Sequence, residues 1–374
     1  MYTDRCRRLI ESLREPPVRD LAWLLLSDDL LDAGAFPAAL GHAGGDSHRA
    51  IAAQLLALDA APEPLARFLA GGERTRLGRY AERLLHFFLD QDHQHQLLAA
   101  GLQVRDARRG GMTLGECDFL LRRHADAALL HWELAVKLYL YVPPAQAASA
   151  LTERALQFHW LGPNLADSLA DKVERLLDHQ LRLTTIDAAR SVLPAPGPWL
   201  PQAYLKGWLF HPLGEASRVP VMIAPGHGRG WWAGMDTWWA WASGAVNGSA
   251  AEAWAVLPRV RWLAPARVAA DEALTLPALH ARIESLWADM EARGGMAEPL
   301  LIVALRRAGD SLDAAGRVSA DADVAPAGEW HERDRGFVVP QGWRERAVRR
   351  IDELSARARV RDAARLAIAP APAE

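Results

Sequence analysis

The chain has 374 residues, half of them hydrophobic and 24% charged. That is enough apolar material for a sizeable core and two domains, and it excludes a disordered chain. A net charge of −3 gives no global attraction to nucleic acid, so any such contact must come from local patches. Two cysteines, Cys6 and Cys117, exclude a disulfide framework and fit a reducing compartment.

The opening MYTDRCRRLIESL reads as a charged helix rather than a secretory leader. No apolar run reaches the roughly 18 residues of a membrane span. The expectation is a soluble cytoplasmic protein without membrane contact. Residues 1 to about 70 read as short amphipathic helices. In LGRYAERLLHFFLDQ, Leu77, Tyr80, Ala81, Leu84, Leu85, Phe88 and Leu89 recur at three and four, a helical stripe. HQLLAAGLQVRDARRGG predicts a helix ending at Gly101 and then a short strand. TLGECDFLLRR and LLHWELAVKLYLYV predict two strands joined by the polar turn HADAA. Helices are expected from Ala145 to about Phe158 and from Leu165 to about Leu183. VLPAPGPWLPQ, Val192 to Gln202, is the candidate linker. It divides the chain into 1–193, a helical N-terminal segment plus a core at about 71–190, and 194–374. Twelve of the fifteen tryptophans lie between Trp199 and Trp343. In this second part AYLKGWLFH, VPVMIA, WAVLPRVRWLA, PLLIVAL and RGFVVP predict strands of a Trp-rich α+β module.

Two arginine clusters, Arg74, Arg76, Arg79 and Arg105, Arg108, Arg109, are surface patches. Of the 43 basic residues only three are lysines, Lys137, Lys172 and Lys206. In an arginine-rich background, a retained lysine points to a position that wants a compact ammonium rather than a planar guanidinium.

The chemistry-bearing residues lie in the two strands. A turn centred between Ala125 and Asp126 sets Asp118 opposite Glu133. Alternation then puts Glu116, Asp118, Glu133, Ala135 and Lys137 on one face. Two opposed carboxylates in an apolar setting are unfavourable without a cation between them. Their hard oxygens suit magnesium or manganese. Glu82, in the preceding helix, is a third acid. Lys172, Leu176 and Gln180 run at i, i+4 and i+8, on one side of a helix.

This order, a helix with Glu, a strand with Asp, a strand with Glu and Lys, resembles the restriction-endonuclease-like nuclease superfamily. Gly115-Glu116-Cys117-Asp118 and Trp132-Glu133-Leu134 carry the likeness, over about residues 77–140. Larger parts of the chain, among them TLGECDFLL, HWELAVKLYL, LGPNLADSLADKVERLLDHQL, RWLAPAR and RGFVVP, resemble an uncharacterised bacterial family, domain of unknown function eighteen-fifty-three. The resemblance implies an α/β fold with a restriction-endonuclease-like mixed sheet flanked by helices, and metal-dependent hydrolysis of DNA or RNA. It implies Asp118, Glu133 and Glu82 as metal ligands, Glu82 through water. Lys137 or Lys172 would stabilise charge on the phosphate, and Gln180 and Arg79 would meet nucleic acid. The superfamily lysine belongs two residues after the strand glutamate. That position is Ala135 here, and Lys137 stands two residues further on. The alternative is therefore a catalytically inactive relative that binds nucleic acid or protein.

Other motifs are weaker. DQDHQHQ, Asp90 to Gln96, matches no closed zinc pattern. GHGRG, Gly226 to Gly230, lacks the lysine and hydroxyl residue of a P-loop. WWAGMDTWWAWASG suits a core or a domain interface better than a base-stacking platform.

Overall fold

The computed structural model describes residues 4–43, 48–71, 76–106, 110–144, 151–244, 251–307, 311–312, 318–319 and 329–368. Arg74, Arg108 and Arg109 of the two arginine clusters lie outside them, as does the start of the helix expected from Ala145.

The elements run α1 (Asp4–Ser12), α2 (Pro16–Leu26), β1 (Ala39–Leu40), α3 (His48–Ala60), α4 (Glu63–Ala70), α5 (Leu77–Leu89), β2 (His95–Asp106), β3 (Met112–Arg123) and β4 (Leu129–Tyr141). They continue with α6 (Glu153–Phe158), β5 (Trp160–Leu161), α7 (Leu169–Asp178), β6 (Trp199–Pro212), β7 (Gly228–Gly234), α8 (Met235–Ala242), β8 (Ala253–Val256) and β9 (Arg267–Ala269). Last come α9 (Leu276–Ala292), β10 (Leu300–Arg307), β11 (Ser311–Leu312), β12 (Val318–Ser319), β13 (Glu329–Val339) and α10 (Trp343–Ile368).

One mixed sheet carries the fold, in the order β2-β3-β4-β6-β7-β13-β10-β8. Helices flank both of its faces. The β2–β3 and β3–β4 pairs are antiparallel, and β4–β6 is parallel. The hairpin has the register implied by the sequence, with Phe119 opposite Trp132 and Arg122 opposite Leu129. The proposed linker opens onto β6, which pairs with β4 from Leu129↔Trp199 to Leu140↔Phe210. The 193/194 boundary thus falls between strands of a single sheet.

The predicted stripe of α5 buries Tyr80, Ala81, Leu84, Leu85 and Phe88 in a cluster with α2 and with Trp132, Leu134 and Val136 of β4. On the opposite face, Leu169, Val173 and Leu176 of α7 meet Tyr139 of β4 and Leu205 of β6. In β10 the period of two is visible directly. Leu301, Val303 and Leu305 join the cluster beneath α10, while Ile302 and Ala304 join Trp238, Trp254 and α9. The tryptophans Trp231, Trp238 and Trp254 are buried core residues.

Three local expectations are corrected. HQLLAAG is strand rather than helix, because pairing with β3 outweighs the helix propensity of Leu and Ala. Gly101 supplies the left-handed backbone (φ 62°) that this irregular strand needs. VPVMIA forms no strand beyond the bridge of Ile223 to Leu31. The helix expected over Leu165–Leu183 is shorter. It starts at a Ser168 cap whose hydroxyl accepts the Asp171 N–H at 3.1 Å, and after Asp178 it passes into a 3₁₀ turn, Gln180–Thr185.

Candidate functional site

The acids gather where β3 leaves β4. The ladder between these strands covers Phe119–Arg122 only. Just beyond it, Asp118 Oδ2 accepts the Leu134 N–H at 2.8 Å, so a carboxylate satisfies a backbone donor at the fork.

Trp132, Leu134 and Val136 point toward α5, which turns Glu133 the other way, toward α7. Glu133 is buried and both of its oxygens are engaged. Oε1 lies 2.8 Å from His131 Nε2, and Oε2 accepts from Gln180 Nε2 at 2.6 Å. Gln180 Oε1 in turn accepts from Lys172 Nζ at 2.8 Å. Lys172 on α7 and Gln180, in the 3₁₀ turn that follows rather than on the expected helix side, form a relay from a buried ammonium to a buried carboxylate.

On the α5 side, Arg79 Nη1 donates to Glu82 Oε2 at 2.7 Å and to Glu116 Oε1 at 2.9 Å. A cavity of about 310 Å³ opens here, lined by Arg79, Glu82, Arg83, Glu116 and Asp118 among others. The single face expected for Glu116, Asp118 and Glu133 is therefore corrected. Glu116 faces α5, Glu133 faces α7, and Asp118 stands in the fork between them. Strict alternation breaks at this point, since Cys117 packs with Leu120 while Phe119 packs in the cluster beneath α5.

The charges act on one another across the fork. Burial, then Glu133 and Glu82, push the Asp118 carboxyl up to about 8, against the pull of the Leu134 N–H and Lys172. Burial raises Glu82, with Arg79 opposing and Glu116 and Glu133 adding to the rise. Burial, then Lys137, lower the Lys172 ammonium to about 8, with Glu133 and Asp118 opposing. Burial followed by the nearby acids pushes the Cys117 thiol up to about 12, so it stays protonated and unreactive.

The two candidate lysines separate. Lys172 belongs to the Glu133 relay. Lys137 Nζ donates to Asp167 Oδ2 at 2.5 Å and is spoken for there.

The model of the family described as Domain of unknown function (DUF1853) matches residues 19–339, most of the chain. The chain belongs to this family. No curated protein and no solved structure matches it.

In this DUF1853 chain the donor set can be tested against a hard divalent cation. Among the described residues no group of three or more His, Cys, Asp or Glu side chains stands ready to hold a metal ion. Glu133 is consumed by His131 and Gln180, so the three-carboxylate set is not assembled. Asp118 and Glu82 remain beside the cavity, each with one oxygen already accepting a hydrogen bond, from the Leu134 N–H and from Arg79. A hard cation there would have at most these two carboxylates from the protein, the remaining positions falling to water and phosphate, as magnesium tolerates.

Two residues of this site escape a sequence reading. His131 shares the face of Glu133 at i, i+2 in HWE, a spacing that could have marked it. Asp167 has no comparable local signal, because it approaches Lys137 from the turn before α7.

Proposed function

We propose that the chain is a divalent-metal-dependent phosphodiesterase acting on nucleic acid, with a restriction-endonuclease-like core made of α5, β2, β3, β4, α7 and β6. The likeness rests on the order of Glu82 on a helix, Asp118 on one strand and Glu133 on the next. The observation that carries the proposal is the Lys172–Gln180–Glu133 relay next to Asp118. It brings an ammonium to the acids although Ala135 occupies the expected lysine position.

In this reading Asp118 and Glu82 hold magnesium or manganese at the cavity. A metal held there would supply a water of lowered pKa and would neutralise charge on the phosphate. Lys172, titrating near 8, is largely charged at neutral pH and stabilises charge developing on the phosphate oxygens. Gln180 fixes Lys172 and Glu133 relative to each other. Arg79, half exposed at the cavity mouth, meets the nucleic-acid backbone, a contact that positions without reading sequence.

The full engagement of Glu133 and the presence of Ala135 favour a second reading, a catalytically inactive module that binds nucleic acid or protein. The two readings divide in one experiment. End-labelled single- and double-stranded DNA and RNA are incubated with the purified chain and magnesium or manganese. The first reading expects cleavage that falls by about 10²-fold in Lys172→Met and stays within a few-fold in Lys137→Met. Binding without cleavage in the unmodified chain, weakened in Arg79→Gln, would establish the second reading and remove the first.

A further inference from the structure

A second cavity lies away from the fork, between α1, the end of α2, and strands β6, β7 and β13. It measures about 390 Å³, and its lining includes the first residues of the GHGRG motif. The motif lacks the signature of a P-loop, yet Gly226, His227, Gly228 and Arg229 all border this space. Arg8 and Arg333 border it from α1 and β13.

The charge balance of the lining is uneven. Glu332 is taken by the buried Arg335 guanidinium at 2.6 and 2.8 Å, and Glu11 by Arg306 at 3.3 Å. Asp334 accepts the Trp231 indole N–H at 2.9 Å, and its burial raises its carboxyl toward the neutral form. Asp28 is the fourth acid of the lining. It lies against the Gly226 backbone, where a Cβ would stand 1.9 Å from its Oδ2. Arg8, Arg229 and Arg333 make no ion pair among the described residues, which leaves a surplus of positive charge.

The lining residues also carry buried polar atoms with no hydrogen-bond partner among the described residues. These are Ser27 Oγ, His227 Nε2 and Arg333 Nη1. His227 is only 6% exposed, and its Nδ1 is fixed by the Ala224 carbonyl at 2.6 Å. Buried polar atoms are rarely left unpaired without a purpose. Three guanidinium groups offer the forked donors that suit phosphate oxygens, and the volume falls within the range of small-molecule sites.

We propose that this cavity is a binding site for a phosphorylated small molecule of nucleotide size, separate from the acidic fork and independent of its chemistry. Isothermal titration of the full chain with ADP, AMP, pyrophosphate and inorganic phosphate at low salt tests it. The expected result is saturable binding of ADP or pyrophosphate, stronger than that of inorganic phosphate. Its Kd should rise at least about tenfold in both Arg229→Gln and Arg333→Gln. Arg229 and Arg8 are exposed, so Arg229→Gln and Arg8→Gln report on binding without disturbing the core. Asp118→Asn should leave the affinity unchanged, which separates this site from the fork. Absence of binding by all four probes at about millimolar concentration overturns the proposal. So does binding unaffected by the arginine substitutions, or binding confined to oligonucleotides.

Discussion

Replacing Asp118 with asparagine should stabilise the protein at alkaline pH. In the native fork the Asp118 carboxyl titrates near 8 instead of its ordinary 3.8. A group raised in this way favours folding most below its unfolded value and loses that contribution as pH climbs to the folded one. The loss is about 1.4 kcal/mol per pH unit, or about 6 kcal/mol in all between 3.8 and 8. Asparagine carries no charge to desolvate and can still accept the Leu134 N–H. Its amide NH₂ gains no evident acceptor at the fork, which costs about 1–3 kcal/mol. The net expectation is a variant more stable by about 4 kcal/mol at pH 9 and nearly equal to the parent at pH 5. Urea unfolding followed by circular dichroism at pH 5, 7 and 9 measures the difference. An Asp118→Asn protein that is less stable than the parent at pH 9, or a difference that does not change with pH, would refute the electrostatic account of the fork.

Other outcomes follow from the same geometry. Lys137→Met removes an ion pair whose side chains are 30% and 34% exposed; solvent screening limits the loss to about 1 kcal/mol, readable by urea unfolding. Glu133→Ala strands the Gln180 amide and His131 in a dry setting and should lower stability by about 3 kcal/mol at neutral pH. Gly336→Ala places a Cβ 2.1 Å from the Trp231 ring; the overpacking should cost about 2–3 kcal/mol and lower the melting temperature.

The hairpin was legible because HAD interrupts two apolar strands and fixes the turn, and with it the register from Phe119 to Arg122. Helical spacing set Lys172 and Gln180 on one side of a helix, but the helix ends at Asp178, and it is the 3₁₀ turn that brings the Gln180 amide to Lys172. What alternation could not give was the side taken by Glu116. That depends on the strands splaying at Asp118 and on Arg79 drawing Glu116 toward α5. The partner of Lys137 was hidden for a similar reason, since Asp167 arrives from a turn 30 residues away. The continuity of the sheet into the tryptophan-rich half was also hidden. Parallel pairing of β4 with β6 is a long-range choice with no short-range signature. His131 sat in plain view beside Glu133, but a histidine within an apolar strand reads first as core.

In the proposed reading Asp118 is the residue that makes the fork hydrolytic. The most direct measurement is the rate of nucleic-acid cleavage by the purified chain as magnesium is titrated in, with Asp118→Asn run in parallel. The expected result is metal-dependent cleavage in the parent and a loss of at least about 10²-fold in the folded variant. Equal cleavage by both proteins, or none by a correctly folded parent on any DNA or RNA substrate, would contradict it.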